Sequence, residues 1–299
     1  MKPSEVFSRE ELEALNQRSD AQGWRQVLVH LGVIGVTGWL WHWGWTQGFA
    51  GGWLALPVYG FALATMFAAV HECVHRTAFA TPWLNDAVAW VAGVLSFYNS
   101  TFYRRYHQWH HRYTQIPGKD PELAEPKPTN GWMYLWQLSG LPWWWGKLQG
   151  HVRVLLGDLQ GCPYIPPEAQ AAVRRSTAAQ LAVYGLAIGV SAWAGRPWFL
   201  MDWVVPLAVG QPFLRFILLA EHTGCTYDDN PLTNTRTTLT GWPVRLLMWN
   251  MPFHAEHHFC PSIPFHALPK AHQKLRDKWA YLAPSYGAAH REIIAQWGG

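Results

Sequence analysis

Three short histidine clusters carry the chemistry of this chain. They are His71 and His75 in HECVH, His107, His110 and His111 in HQWHH, and His254, His257 and His258 in HAEHH. A fourth element, Glu221-His222, closes a long apolar run. Residues three or four apart are neighbours on a helix, so each cluster sets two or three imidazoles on one helical face. Nine candidate imidazole ligands result. Imidazole suits iron, zinc, copper and nickel, and about six ligands saturate one such ion, so this number argues for two metals.

Ligand imidazoles commonly donate their second N–H to a carboxylate or carbonyl. Glu72 and Glu256 inside the clusters, and Glu221 beside His222, are candidates for that role. Asp120 in KDPE is another, with loop ordering as the alternative; Asn250 before Pro252 is either a water-bridged ligand or a turn residue. HECVH alone also matches the HExxH of single-zinc hydrolases, where the glutamate is the general base. That reading leaves HQWHH and HAEHH unexplained. His30, His42, His151, His266, His272 and His290 stand alone and read as structural.

Apolar segments must position these clusters. Gln26–Thr46, Gly51–Val70, Ala178–Gly195 and Trp198–Ala220 each approach the ~20 residues needed to cross ~30 Å of hydrocarbon. Short links pair them into two hairpins: Gln47–Ala50 joins the first two and Arg196-Pro197 the last two. Lys and Arg concentrate outside these links, which sets both termini, the middle region and the clusters on the cytoplasmic side. Ala87–Tyr103 and Trp132–Trp145 are also apolar; if the first crossed the bilayer, His71 and His107 would lie on opposite sides, so both read as interfacial helices.

The expected fold is therefore all-α and membrane-integral, with four transmembrane helices in two hairpins, interfacial helices and a His-rich cytoplasmic cap. As one domain it divides into an N-terminal segment (1–25), a first hairpin (26–75), a cytoplasmic and interfacial region (76–177), a second hairpin (178–221) and a cap (222–299). Arg215 lies inside an apolar run, seven residues before His222. It either snorkels to the interface or serves as counter-ion for a substrate carboxylate.

Composition agrees. Charged residues make up 14%, against roughly 25% in an ordinary globular chain, and 21 Trp suit a membrane–water interface. The net charge of +4 matches the positive bias of cytoplasmic loops; no basic stripe or binding motif accompanies it, which argues against a nucleic-acid partner. Cys73, Cys162, Cys225 and Cys260 form no CxxC pair and read as free thiols. The polar, mixed-charge start does not resemble a cleavable signal peptide.

The motifs HECVHRTAF, YHQWHHRYT followed by DPEL, AEHTG, and NMPFHAEHHFCPSIPFHALP resemble those of the membrane fatty acid desaturase and hydroxylase superfamily, over about Gly60 to His272. The resemblance implies a non-haem diiron centre with two Fe ions, O2 as co-substrate, and His71, His75, His107, His110, His111, His222, His254, His257 and His258 as ligands. It implies a lipid or fatty-acyl substrate and a separate electron donor such as a ferredoxin, rubredoxin or cytochrome, since no flavin, haem or iron–sulphur motif is apparent. Arg104, Arg105, Lys119, Lys270 and Lys274 are candidates to dock an acidic donor or anionic lipid headgroups. The HxxxH spacing of the first cluster is shared with alkane hydroxylases and carotenoid-modifying members. Desaturation of an acyl lipid or free acid is the first reading, with hydroxylation, or oxidative decarboxylation to a terminal alkene, as alternatives. A non-catalytic metal carrier would need histidines strung along a path through the bilayer.

Overall fold

Uncharged apolar runs in this chain become long helices, and the polar, Pro- and Gly-rich stretches between them become short helices and turns. The computed structural model describes residues 1–298. In chain order the helices are α1 (Arg9–Leu15), α2 (Asp20–Gln47), α3 (Gly51–Val74), α4 (Pro82–Ser96), α5 (Ser100–Tyr113), α6 (Gly131–Leu138), α7 (Leu141–Leu156), α8 (Pro167–Trp193), α9 (Val205–His222), α10 (Trp242–Leu247), α11 (His254–Phe259), α12 (Leu268–Leu275) and α13 (Tyr286–Ala295). One two-residue parallel pair, β1 (Thr237–Thr238) with β2 (Leu282–Ala283), ties the last segments together, so the architecture is almost wholly helical.

The core is organised around α3, buried without interruption from Ala62 to Val74. Helices α2, α4 and α9 surround it. Glycines let the backbones touch, since a missing Cβ removes the bulk that keeps helices apart. A Cβ on Gly60 would stand 2.2 Å from the Pro206 carbonyl oxygen, and one on Gly210 only 1.9 Å from that of Gly60. Gly48, at φ 73°, ends α2 in the left-handed conformation and starts the tight return into α3.

At the far end of α3 from the histidines, Asp202 gathers the helices. Its carboxylate accepts from Trp45 Nε1 at 2.7 Å and from His42 Nδ1 at 2.9 Å, and its carbonyl accepts from Tyr59 Oη at 2.6 Å. It lies in a π-helical turn (Leu200–Val204) that frees carbonyls from the helix ladder; Trp41 Nε1 takes the one at Met201. Asp202 thus ties together α2, α3 and the run that leads into α9.

Among the described residues, two helices are both long and apolar enough to cross a membrane: Gly51–Val74, and the continuous Leu200–His222 that includes α9. Helices α2 and α8 are longer but more polar, α8 carrying Glu168, Arg174 and Arg175 in its first half. Helix α4 has 15 residues, about 22 Å at 1.5 Å per residue, short of the hydrocarbon thickness. Phe97, at φ 60°, turns the chain straight back into α5. Helix α7 leaves Leu141, Trp145, Leu148, Val152 and Leu155 exposed at alternating spacings of four and three, a single apolar stripe with no protein against it.

Candidate metal centre and its cavity

Each histidine cluster is delivered by a defined helix end. His71 is in the last turn of α3 and His75 caps it; Arg76, at φ 59°, then breaks the helix. Asn99 caps the start of α5 by accepting from Phe102 N, which places His107, His110 and His111 in its last two turns. His222 ends α9, where the buried Arg236 donates to the Ala220 and Thr223 carbonyls at 2.6 and 2.8 Å, a cation set on the negative helix terminus. His254, His257 and His258 fill the six-residue α11.

These four helix ends converge. His71, His75, His107, His111 and His257 bring one ring nitrogen each within 4.8 Å of one another, and His110, His222 and His258 do the same beside them. His254 bridges the groups, with Nε2 3.1 Å from His222 Nε2 and 3.5 Å from Glu221 Oε2. His111 Nε2 stands 3.0 Å from both His107 Nε2 and His257 Nε2. A ring nitrogen carries either one hydrogen or one lone pair, so it cannot serve two such neighbours well. Lone pairs directed at a shared cation can.

The outer ring nitrogens are anchored. His110 Nδ1 donates to Asp120 Oδ1 at 2.9 Å, and His222 Nδ1 to the Asn234 carbonyl at 3.1 Å. His107 Nδ1 lies 3.3 Å from Tyr103 Oη and His258 Nδ1 3.2 Å from Thr114 Oγ1. A neutral ring donating through Nδ1 presents a lone pair at Nε2, the orientation a metal site requires. Nε2 of His71, His75 and His258, and Nδ1 of His254 and His257, are buried with no hydrogen-bond partner. Buried polar atoms are nearly always satisfied, so the three orphaned Nε2 atoms, of His71, His75 and His258, fit metal ions as the missing partners.

The electrostatics agree. Burial, and then the neighbouring imidazoles, hold His107, His111, His254, His257 and His258 well below the ordinary histidine pKa, keeping them neutral. His110 differs: burial pulls it down, but Glu122 and Asp120 raise it overall. That position favours positive charge, which a cation satisfies as well as a proton does.

Not every expected supporting group meets an imidazole of the cluster. Asp120 does, and it also accepts from Gln115 N and Glu122 N, so the loop-ordering alternative holds as well. Glu221 does, and its Oε1 is buried without a partner. Glu72 does not: its Oε1 accepts from Phe265 N at 3.0 Å, so it orders the 265 loop. This removes the general base that an HExxH zinc hydrolase would need. Glu256 also faces away, accepting from Thr237 Oγ1, from Trp279 Nε1 at 2.6 Å and from His272 Nδ1 at 2.6 Å. On a six-residue helix whose histidines point one way, the intervening glutamate points the other. Asn250, at φ 56°, sits in a turn between Arg245 and the Phe265 carbonyl, away from the cluster. Of the candidate docking cations, Arg104 pairs with Asp86 and Lys274 with Glu11, leaving Arg105, Lys119 and Lys270 without a carboxylate partner among the described residues.

Tyr103, Thr114, Gln115 and Asn234 support the cluster without being singled out from sequence. Tyr103 and Thr114 had a readable signal, each four residues from a histidine of α5. Gln115, which donates to the His222 carbonyl, and Asn234 reach it only through the fold.

A cavity of about 420 Å³ opens beside the cluster. His71, His107, His110, His254 and Glu221 form one wall; Phe67, Tyr103, Leu218 and Leu219 give it an apolar lining. Farther in it reaches Tyr98, Trp143, Lys147, His151 and Arg215. A partly apolar space against a histidine cluster, with charged groups also in its wall, fits an amphiphile with its chain beside that cluster.

Comparison with known proteins agrees. The sn-1 oleoyl-lipid 12-desaturase of Synechocystis sp. is 24% identical over 88% of this chain and 78% of its own length. Its namesake from Anabaena variabilis is 24% identical over 94% and 82%. The dihydrorhizobitoxine desaturase of Bradyrhizobium elkanii is 26% identical over 77% and 66%. A family model described as fatty acid desaturase matches residues 47–290, and the chain belongs to that family.

Proposed function

We propose that the protein is a membrane-bound non-haem diiron oxidoreductase that desaturates an acyl chain, using O2 and electrons from a separate donor. The observation that carries this reading is the meeting of nine inward-facing imidazoles, in a group of five, a group of three and a bridging His254, against one wall of an amphiphile-sized cavity. His71, His75, His107, His111 and His257 would hold one iron, and His110, His222 and His258 the other, with His254 and Glu221 at their border. With O2 and supplied electrons, such a pair provides the oxidising power to break unactivated carbon–hydrogen bonds.

The chain itself positions and protects. Asp120 and the Asn234 carbonyl keep His110 and His222 in the tautomer that leaves Nε2 free. Phe67, Tyr103, Leu218 and Leu219 pack the methylene chain and exclude water. Arg105, Lys119 and Lys270 offer the face for an acidic electron donor.

In the proposed topology, α2 with α3 and α8 with the α9 run form two hairpins, giving four spans. Both termini and the histidine cluster face the cytoplasm, and α6 and α7 lie along the interface with the apolar stripe of α7 in lipid. Support comes from the short link of residues 48–50 between α2 and α3 and from the exposed apolar side chains of α8, where Trp193 is 90% exposed.

The test feeds deuterated fatty acid to cells making the protein and to cells making His257→Ala. A labelled product that has lost two deuterium atoms, absent from the variant, is expected. A product one oxygen heavier, or one lacking carbon dioxide, would replace desaturation by hydroxylation or decarboxylation on the same centre. One zinc per purified chain in place of iron would overturn the diiron assignment.

A further inference from the structure

A second concentration of charge lies in the same cavity, beyond Phe67 and Tyr103 from the imidazoles. Arg215 of α9 donates through Nη2 to Tyr98 Oη at 2.9 Å. Trp143 of α7 donates through Nε1 to the same hydroxyl at 3.0 Å. Lys147, one turn farther along α7, sets its Nζ 3.6 Å above the centre of the Tyr98 ring. The Arg215 guanidinium also lies 5.7 Å from the Trp143 ring. Two helices, α7 and α9, thus bring two cations to one tyrosine at the cavity wall.

Neither cation is neutralised. Among the described residues no carboxylate lies within 4.0 Å of Lys147 or Arg215, and Arg215 Nε is buried with no hydrogen-bond partner. The nearby acid Glu221 is turned to His254. Two like charges held together in a half-buried place repel one another and lose hydration; aromatic faces compensate a cation far less than an anion does. The Arg215 head lines the cavity and donates to Tyr98.

We infer that Arg215 and Lys147 bind the anionic head group of the substrate, a carboxylate or a phosphate, so that the amphiphile is selected as an anion. The inference rests on the reading of this cavity as the substrate site. A guanidinium with a free Nε–H suits an oxyanion in forked geometry, and the ammonium adds a point charge. Burial, then the charge of Arg215, pushes the Lys147 pKa down to about 7, the condition a bound anion would relieve. The head group would sit two aromatic rings from the cluster: the Tyr98 ring is 4.5 Å from that of Phe67, which is 6.2 Å from that of His71. An uncharged acyl ester, as the names of the oleoyl-lipid desaturases imply at the acyl end, would leave both cations unmet.

The test is binding without turnover. Full-length protein, as purified in neutral detergent and with no electron donor, is equilibrated with tritiated decanoate. Decyl phosphate and methyl decanoate are the competitors. The expected result is saturable decanoate binding with methyl decanoate at least about tenfold weaker, and about a tenfold loss of affinity in Arg215→Gln and in Lys147→Gln. Arg215→Lys and Lys147→Arg, which keep the charge, should retain most of the binding. Stronger competition by decyl phosphate than by decanoate would assign a phosphate head group, and the reverse a carboxylate. Equal competition by methyl decanoate, or neutralised variants that bind as the unmodified protein does, would overturn the inference. Iron content of the same preparation tests the underlying reading separately: anion binding without iron would leave this site standing and remove the oxidase.

Discussion

The Nε2 atoms of His111 and His257 lie 3.0 Å apart although 146 residues separate them in the chain. One lies in the last turn of α5 and the other on α11, so their meeting reports the docking of α11 against α5. His111 Nε2 also stands 3.0 Å from His107 Nε2, so it joins the two rings.

Removing one of these rings should empty one metal position. For His257→Ala we expect iron to fall from about two to about one per chain, since the group of His110, His222 and His258 keeps its ligands. Mass spectrometry of the purified protein checks the content. An unchanged value would show that the group of five does not hold iron.

Asp120→Asn should act through His110. The carboxylate holds Nδ1–H at 2.9 Å, and an amide is a weaker, ambiguous partner. Metal affinity of the second group should drop by about 10–100-fold. Competition with a calibrated chelator measures it. Equal affinity would mean that Asp120 only orders the 115–122 loop through its bonds to Gln115 N and Glu122 N.

Gly210→Val should be strongly destabilising, because any Cβ there would press on the Gly60 carbonyl. A cost of about 1–3 kcal/mol, or failure to fold, is expected from overpacking. Gly185→Ala on α8, where nothing stands within 4 Å, is the matched control; it should be neutral or stabilising by up to about 1 kcal/mol. Thermal melting in detergent compares them. Similar melting of both variants would contradict the α3–α9 contact.

Lys147 gives a pH dependence. Its folded pKa of about 7 lies below its ordinary 10.5, so between those values the unfolded chain holds a proton that the folded chain has shed. Stability from this group therefore rises with pH across that window. Tyr98, His151 and Arg215 are the other titratable or charged groups around it. Relative to the unmodified protein, Lys147→Met should be most stabilised near pH 6 and lose that advantage towards pH 10. Melts across this range decide it; a constant difference would mean that Lys147 is solvated.

The pieces of this fold are written in local pattern. The segment Gln26–Thr46 lies within α2, Gly51–Val70 within α3, and each histidine cluster falls on a helix end, because 3.6-residue periodicity and charge-free runs act locally. The nine imidazoles, the anchoring role of Asp120 and the oddity of Arg215 were legible for the same reason. Which faces meet was settled by packing between distant segments. It turned Glu72 to Phe265 and Glu256 to Thr237, His272 and Trp279, although both sit within the clusters. It made Tyr103 and Asn234 partners of the ligand rings, and brought Lys147 to Arg215 across 68 residues of chain. Spacing specifies which side chains share a helical face. What that face touches depends on packing against distant segments, which in this protein rests on backbone contacts as close as those of Gly60 with Gly210.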